Sequence, residues 1–304
     1  MSHYFGLAFM GVYLFLIVLL SLYGIHRYWI LYLYFRYYKW AKPYVLPAQQ
    51  NPLPLVTVQL PVYNERYVVE RLIDAVCRLD YPSRRLEIQV LDDSTDDTEA
   101  IARAKVKAMQ TRGFNIVHVR RSGRTGFKAG ALAVGLSKAS GEFLAIFDAD
   151  FVPPPDFLLK TIPCFQDSAI GMVQTRWGHL NEDYSLLTWI QSIFLDAHFL
   201  LEHTARNRSG AFFNFNGTAG IWRREAIESS GGWQHDTLTE DLDLSYRAQM
   251  QGWKFLFLPD VICPAELPVD INAFKTQQNR WTMGAIQTAK KMLPTIWRSP
   301  VSGQ

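Results

Sequence analysis

The hydrophobic pattern of residues 50 to 150 predicts strands and helices in alternation. Short aliphatic and β-branched runs predict strands at 55–60, 86–91, 114–119 and 142–147. Apolar residues spaced three and four positions apart predict helices between them, at 68–76, 97–110 and 129–139. Strands that alternate with helices form a parallel sheet, and the ligands of such sheets bind beyond the carboxyl ends of the strands.

The pattern of residues 170 to 304 predicts longer helices and fewer strands. Strands are predicted at 170–177 and 254–258, and helices at 184–206, 237–247 and 272–293. The helix at 184–206 is rich in aromatic residues, and we interpret most of it as core packing. The helix at 237–247 begins with a threonine cap and acids in its first turn. The aromatic, glycine-broken segment 212–222 is either a buried hairpin or a loop that brings backbone amides close to a ligand.

The amino-terminal segment has the composition of a membrane span. Tyr4 to Ile25 contains no charged residue, and its roughly 22 positions can cross a hydrocarbon core of about 30 Å. Cations mixed with Tyr and Trp follow up to Trp40, as at a membrane–water interface. These cations predict an amino terminus outside or in a lumen and a cytoplasmic remainder. A cleaved signal peptide is the alternative, but the segment lacks a basic start and a small-residue cleavage site.

Composition agrees with a globular domain joined to an apolar segment. Hydrophobic residues make up 49% of the chain and aromatic residues 14%, while mean hydropathy is only −0.03. A net charge of +3 without a basic stripe does not indicate a nucleic-acid partner. The three cysteines have no CxxC spacing, so neither a disulfide framework nor a zinc site is predicted.

Polar or acidic side chains follow three of the predicted parallel strands. These are Tyr63 and Glu65, then Asp92 and Asp93, then Asp148 and Asp150. The last two lie one residue apart, so they project to the same side of the strand end. Two carboxylates in this arrangement suit Mg²⁺ or Mn²⁺ that also binds phosphate oxygens. Neither GxGxxG nor GxxxxGK[ST] is present, which argues against a dinucleotide fold and a P-loop.

Each of these features has an ordinary structural alternative. A single DxD sequence is more often a solvated acidic turn, and Glu240 with Asp241 would also complement the dipole of a helix. Gln277, Arg280 and Trp281 share one helix face, where a packed Trp beside a solvated Arg is the commoner interpretation of this motif taken alone. Their combination in one chain favours a site, because three strand ends at one sheet edge meet in space.

The combined motifs resemble those of family 2 glycosyltransferases of the processive, membrane-embedded type. The resemblance covers roughly residues 50 to 290. It rests on Asp92-Asp93, the DxD of Asp148 and Asp150, the TED of Thr239-Glu240-Asp241, and the QxxRW of Gln277, Arg280 and Trp281. The stretches 173–178, 215–222 and 274–281 are similar to those of cellulose synthase-like mannan and xyloglucan-backbone synthases.

The resemblance implies an α/β domain of the GT-A type that binds a nucleotide-sugar. The implied reaction is inverting transfer of a hexose from UDP-glucose or GDP-mannose to a growing β-linked polysaccharide. The implied roles are as follows: Tyr63, Glu65, Asp92, Asp93, Lys128, Asp148 and Arg280 bind the donor; Asp148 and Asp150 bind Mg²⁺ or Mn²⁺; Asp241 is the general base, next to Glu240; Trp281, Gln277, Asn216, Gly217 and Thr218 bind the acceptor.

The domain organisation that we expect has four parts. Residues 1–40 form the membrane helix and its interfacial segment, 41–54 a proline-rich tether, 55–268 the catalytic domain, and 269–304 an amphipathic interface helix. Processive family members continue into several transmembrane helices, so we expect a channel-forming segment or partner subunit beyond this sequence. The expected location is a plasma, inner or Golgi membrane. Alternatives are a non-processive lipid glycosyltransferase and an inactive scaffold that binds nucleotide-sugar.

Overall fold

The computed structural model describes residues 2–38, 47–48 and 51–298. The elements are α1 (Ser2–Tyr38), β1 (Val56–Val62), α2 (Val69–Cys77), β2 (Leu86–Asp92), α3 (Thr98–Thr111), β3 (Ile116–Arg120), α4 (Phe127–Lys138), β4 (Phe143–Ile146), α5 (Phe157–Thr161), β5 (Ile170–His179), α6 (Leu186–Asp196), a π-helical segment (Ala197–His203), α7 (Thr204–Ser209), β6 (Gly220–Arg223), α8 (Arg224–Ser229), α9 (Glu240–Met250), β7 (Lys254–Ala265) and α10 (Ile271–Arg298). Most of the predicted tether, and the end of the interfacial segment, lie outside these residues.

A mixed sheet of seven strands organises the described residues, in the order β3-β2-β1-β4-β6-β5-β7. The first four of these strands are parallel, as the alternating half of the sequence predicts. β6 is antiparallel to both of its neighbours, and β5 and β7 are parallel to each other. The predicted α/β architecture is therefore confirmed, and the carboxyl ends of β1, β2 and β4 meet at one edge.

Hydrophobic residues pack on both faces of the sheet. On β4, Phe143 and Ala145 belong to one hydrophobic cluster, with α2, α3 and α5. Leu144 and Ile146 belong to the other, with α4, α8 and α9. Because successive side chains of a strand point to opposite faces, a strand covered by helices on both sides is apolar throughout. The continuous apolar run at 142–147 has this cause.

Helix α1 is the one described helix that is long and apolar enough to cross a membrane. The most apolar 18-residue window within Tyr4–Tyr38 has a mean hydropathy of 2.5, and no part of that window is buried. The carboxyl-terminal half of α1 contacts α7 and the π-helical segment. Arg27 donates to Glu202 Oε2 at 3.2 Å, so a side-chain ion pair joins α1 to the π-helical segment.

Helix α6 corrects the interpretation of residues 184–206 as core packing. Its buried residues are polar: Thr188, Gln191 and Ser192. Its large apolar residues are exposed, and these are Leu186, Trp189, Ile190, Ile193 and Phe194. The inward polar face is stabilised by a hydrogen bond, because Gln191 Nε2 donates to the backbone oxygen of Pro268 at 2.8 Å. An apolar face turned outward is typical of a surface that meets another apolar phase.

Three further elements of the structure differ in detail from the predictions made from the sequence. The segment 212–222 is not a hairpin: it runs without regular structure to residue 219 and then enters β6. The strand predicted at 254–258 continues to Ala265 as β7. Thr239 occupies the N-cap position of α9, but its side chain makes no capping hydrogen bond. Its hydroxyl instead lies 3.2 Å from Thr288 Oγ1 on α10, because the two helices approach closely there.

Candidate functional site

A cavity of about 860 Å³ opens at the carboxyl edge of β1, β2 and β4. Helix α10 and the loop before α9 form its other walls. Most of the residues singled out in the sequence line it: Tyr63, Glu65, Asp93, Lys128, Asp148, Asp150, Asn216, Gly217, Glu240, Asp241, Gln277, Arg280 and Trp281. The structure therefore brings together side chains from seven separate segments of the chain.

Two of the singled-out residues do not line the cavity. Asp92 is buried below the surface, where its carboxylate accepts the backbone N–H of Ser94 and lies 2.8 Å from His118 Nε2. Thr218 is fully buried, and its Oγ1 accepts the backbone N–H of Asp148 at 2.9 Å. Both residues support the site from behind, since they hold the loops that carry Asp93 and Asp148.

Three carboxylates crowd the centre of the cavity. Burial raises the pKa of Asp150 to about 7, with a further contribution from Asp148. Burial also raises the pKa of Glu65, again with help from Asp148. The raised pKa values mean that the folded protein by itself disfavours the ionised forms of Asp150 and Glu65, because they are buried and lie near the charge of Asp148. A cation bound at Asp148 and Asp150 would favour these ionised forms.

The donor set of this acidic centre fits Mg²⁺ or Mn²⁺ that is shared with a ligand. Asp148 and Asp150 supply carboxylate oxygens, which both ions prefer. Within residues 2–38, 47–48 and 51–298, no group of three or more His, Cys, Asp or Glu side chains is arranged to hold an ion. The remaining coordination positions would therefore belong to water and to oxygens of the ligand, as is usual for Mg²⁺ bound with phosphates.

Lys128 connects the DxD sequence with the start of α9. Its Nζ donates to Asp148 Oδ1 at 2.5 Å and to the Gly217 carbonyl oxygen at 3.1 Å. Burial lowers the pKa of Lys128, but Asp148, Glu240 and Asp241 raise it more, so the net shift is upward. Lys128 is therefore a permanent cation between the two acidic groups.

The first turn of α9 places the carboxyl group of Asp241, whose pKa is raised, in the cavity wall. Burial, and then the neighbouring Glu240, raise the pKa of Asp241 to about 7. Gly217 lies directly opposite, in the left-handed region with φ of +83°, and a Cβ there would be 3.1 Å from Asp241 Oδ2. A carboxylate with a pKa near 7 can accept a proton at neutral pH, as a general base must.

Helix α10 carries Gln277, Arg280 and Trp281 on the opposite wall of the cavity. Contacts made by later residues of the same helix hold it in place. Gly284 packs on Thr239, leaving no room for a side chain. Further along, Gln287 Oε1 accepts the backbone N–H of Leu238 at 2.8 Å. The last contact is Lys291, whose Nζ lies 2.9 Å from the fully buried Asp243 and 2.8 Å from Asp236.

At the other end of the cavity, aromatic and cationic side chains surround Asp93. Arg121 donates to Asp93 Oδ1 at 2.9 Å and pairs with Oδ2 through a second nitrogen. The guanidinium of Arg124 stacks on the ring of Tyr63, 3.2 Å from its centroid. A flat aromatic face with a cation beside it is suited to a planar, negatively charged ligand such as a nucleotide.

Sequence reasoning missed several residues of this cavity. Trp177 and His179, at the carboxyl end of β5, line it, as does His235 before α9. The end of β5 gave a usable signal, because residues 177 and 179 share one side of a strand. His235 gave none, since it lies in a segment without periodicity.

Comparison with known proteins extends to most of the chain. The profile of the family described as "Glycosyltransferase like family 2" matches residues 53–284. Glucomannan 4-beta-mannosyltransferase 1 of Oryza sativa subsp. japonica is 45% identical over 254 residues, which cover 82% of this chain and 49% of that protein. Glucomannan 4-beta-mannosyltransferase 2 of Arabidopsis thaliana is 46% identical over 251 residues, covering 81% and 47%. The chain spans about half the length of these curated relatives.

Solved structures agree in architecture. Mannosyltransferase PcManGT from Pyrobaculum calidifontis, determined with GDP-Man and Mn²⁺, has a TM-score of 0.70 and 26% identity, covering 90% of this chain and 74% of that one. TarS 1–349 of S. aureus, determined with UDP-GlcNAc, has a TM-score of 0.53 and 16% identity, covering 71% and 59%, and shows only the shared fold. The sheet is thus of the GT-A type. Because the family profile extends from before β1 into α10, the chain belongs to glycosyltransferase family 2.

Proposed function

We propose that the chain is the membrane-anchored catalytic part of an inverting glycosyltransferase that extends a β-linked polysaccharide. Mannose from GDP-mannose is the transfer we propose first. The relatives that support it are named glucomannan 4-beta-mannosyltransferases, and PcManGT was determined with GDP-Man. The observation that carries the proposal is one cavity in which an acidic DxD centre, a carboxyl of pKa about 7 and the Arg280–Trp281 pair face each other.

The donor occupies the sheet side of the cavity in this proposal. Tyr63 and Arg124 flank the nucleobase, and Glu65 and Asp93 bind base or ribose. Asp148 and Asp150 would hold Mg²⁺ or Mn²⁺, which stabilises the charge that develops on the leaving diphosphate. Arg280 and Lys128 bind the diphosphate from the other side, since both cations line the same cavity.

The acceptor sugar occupies the side formed by α9, α10 and residues 216 and 217. Asp241 takes the proton of the attacking hydroxyl while that oxygen bonds to the anomeric carbon and the diphosphate departs. Attack from the face opposite the leaving group inverts the configuration. The indole of Trp281 offers the sugar ring a flat apolar platform, which fixes its orientation. Gln277 and Asn216 supply hydrogen bonds, and Glu240 keeps the proton affinity of Asp241 high.

The domain limits follow the same division. We propose a membrane helix within 1–40, a catalytic domain at 55–268, and an interface helix at 269–304 that presents the QxxRW residues. The exposed apolar side chains of α1 and α6 support contact with a bilayer. The amino terminus is then outside or lumenal and the catalytic domain cytoplasmic. The relatives' further length agrees with a channel-forming segment or partner subunit beyond this chain.

Nucleotide release tests the proposed reaction. Detergent-solubilised protein is given GDP-mannose, UDP-glucose or UDP-N-acetylglucosamine, each with and without a mannan oligosaccharide, in Mg²⁺, Mn²⁺ or EDTA. We expect metal-dependent release of GDP from GDP-mannose that the oligosaccharide increases, and lengthening of that oligosaccharide. If folded protein, with an unfolding transition, releases nucleotide from none of these donors, the proposal is wrong.

A further inference from the structure

The π-helical segment Ala197–His203 brings two histidines to one amide. Asn216 Oδ1 lies 2.5 Å from His203 Nε2, and Asn216 Nδ2 lies 3.0 Å from His198 Nε2. The two imidazole centroids are 4.3 Å apart. The amide group of Asn216, which lines the cavity, is thus held between two rings of a helix that the reaction does not otherwise use.

Only the π-helical geometry allows this arrangement. His198 and His203 are five positions apart, and in an α-helix such residues point in directions that differ by about 140°. Hydrogen bonding from residue i to i+5 widens the turn, so that residues five apart lie on one side. Insertions of this kind are rare in helices and frequently occur at functional sites.

The hydrogen bonds assign a tautomer to each ring. Asn216 Oδ1 can only accept, so His203 carries its proton on Nε2. Asn216 Nδ2 can only donate, so the Nε2 of His198 is unprotonated and its proton lies on Nδ1. His198 Nδ1 lies 3.5 Å from Glu202 Oε2. Burial raises the pKa of Glu202, but the bond from His198 and the charge of Arg206 hold it well below its usual range.

The remaining contacts of the His203 ring agree with this assignment. His203 is fully buried, and its Nδ1 has no hydrogen-bond partner within the described part of the chain. Burial lowers the pKa of His203 well below its usual range, so the ring is neutral. A neutral imidazole with its proton on Nε2 leaves Nδ1 as a bare acceptor, which is the less costly group to leave unpaired.

The clamped amide begins the loop that meets the reacting groups. The backbone N–H of Asn216 donates to Gln174 Oε1 at 2.9 Å. The next residue, Gly217, offers its carbonyl to Lys128 and packs against Asp241. An amide that rotated by 180° would exchange its donor and its acceptor at the cavity wall. A sugar hydroxyl that fits one orientation would then meet a group of the wrong polarity.

We propose that His198 and His203 are positioning residues that hold the Asn216 amide in one orientation for recognition of the acceptor sugar. The two bonds to the rings use one lone pair of Oδ1 and one hydrogen of Nδ2. One acceptor and one donor position of the amide remain, and no protein partner within the described residues takes them. These two positions suit a pair of neighbouring sugar hydroxyls. The proposal rests on the transferase function proposed above.

The first test does not depend on activity. Imidazole ¹⁵N NMR of the solubilised full chain, with His198→Gln and His203→Gln to assign the signals, reports the tautomers directly. We expect the Nε2–H form for His203 and the Nδ1–H form for His198. The same tautomer on both rings, or the reverse pair, would overturn the proposal even if the transferase is active.

The second test separates acceptor recognition from donor chemistry. His203→Phe should raise the acceptor KM by about tenfold or more, with GDP-mannose hydrolysis in the absence of acceptor unchanged. Phe199→Leu is the matched control, because Phe199 is fully buried in the same π-helical segment, packs on the ring of His203 and has no side-chain group that could bond to the amide. If His203→Phe does not fold, His198→Ala, at a partly exposed position, gives the same readout. Equal losses in both activities, the same pattern in Phe199→Leu, or no change would contradict the proposal.

Discussion

The carboxylate of Asp241 lies next to the space into which a side chain at Gly217 would project. A Cβ at Gly217 would lie 3.1 Å from Asp241 Oδ2 and 3.4 Å from Lys128 Nζ. We therefore expect Gly217→Ala to displace the proposed base and to lower the transfer rate by roughly tenfold to a hundredfold. The measurement is the initial rate of oligosaccharide extension, with the free energy of unfolding taken in parallel.

Gly210→Ala is the control for the backbone. Gly210 has nearly the same dihedral angle, φ of +79°, but nothing lies within 4 Å of its ideal Cβ position. Both substitutions should cost about 1 kcal/mol or more of stability through the left-handed conformation. If Gly210→Ala lowers transfer as much as Gly217→Ala does, contact with Asp241 is not the cause.

Asp241→Asn tests the proposed base. The amide has nearly the same shape but cannot take a proton, so transfer should fall by a factor of about 10² or more. Binding of GDP-mannose, measured by calorimetry with Mn²⁺, should persist. Asp183→Asn, on the exposed side of the 3₁₀ turn before α6, should change neither quantity. Undiminished transfer by Asp241→Asn would rule out this role.

The same carboxyl predicts a pH dependence of stability. Its folded-state pKa is about 7, above the usual 3.8. Between these values the folded protein holds a proton that the unfolded chain has lost, so this group makes stability fall as pH rises. Asp241→Asn removes the effect, and its gain in unfolding free energy over the wild type should be larger at pH 8 than at pH 5. Urea titrations in EDTA measure it, and a pH-independent difference would contradict the assignment.

Lys291 should be important for the attachment of α10. Lys291→Met removes ion pairs to Asp236 and to the fully buried Asp243. Among the described residues, Asp243 then keeps its ion pair with Arg247. We expect a loss of about 1–3 kcal/mol in the free energy of unfolding. Lys290→Met is the control, because Lys290 is exposed on the same helix. Similar stabilities of the two variants would show that this contact does not hold the helix.

Trp281→Ala tests the acceptor platform. The variant should lose use of the oligosaccharide while retaining acceptor-independent hydrolysis of GDP-mannose, since only the sugar-facing surface is removed. Trp297→Ala, on the same helix with an 83% exposed side chain, is the matched control. Parallel loss of extension and hydrolysis in Trp281→Ala would place the indole on the donor instead.

Local periodicity accounts for much of what the sequence predicted correctly. Strands β1 to β4 and the helices between them follow from apolar spacing, because each must cover one face of the sheet. The acids after β2 and β4 lie at one edge because parallel strands all end there. The motif order was sufficient to indicate the family, which the profile match over residues 53–284 confirms.

Contacts between distant segments were decided by the tertiary structure alone. Asp92 and Asp93 are identical neighbours in the sequence, yet only Asp93 reaches the cavity, since successive strand residues face opposite ways. The inward polar face of α6 depends on the Pro268 carbonyl, 77 positions from Gln191.

The His198–Asn216–His203 contact shows the same limit most clearly. Residues five positions apart do not share a face of an α-helix with 3.6 residues per turn. The sequence pattern therefore predicts an ordinary α-helix here and gives no sign that the two histidines meet. The wider turn places both rings within hydrogen-bonding distance of the half-buried amide of Asn216. The sequence by itself determined which elements form and which chemistry they carry, because those depend on neighbours along the chain. The tertiary structure decided which side chains share the cavity, because that depends on neighbours in space.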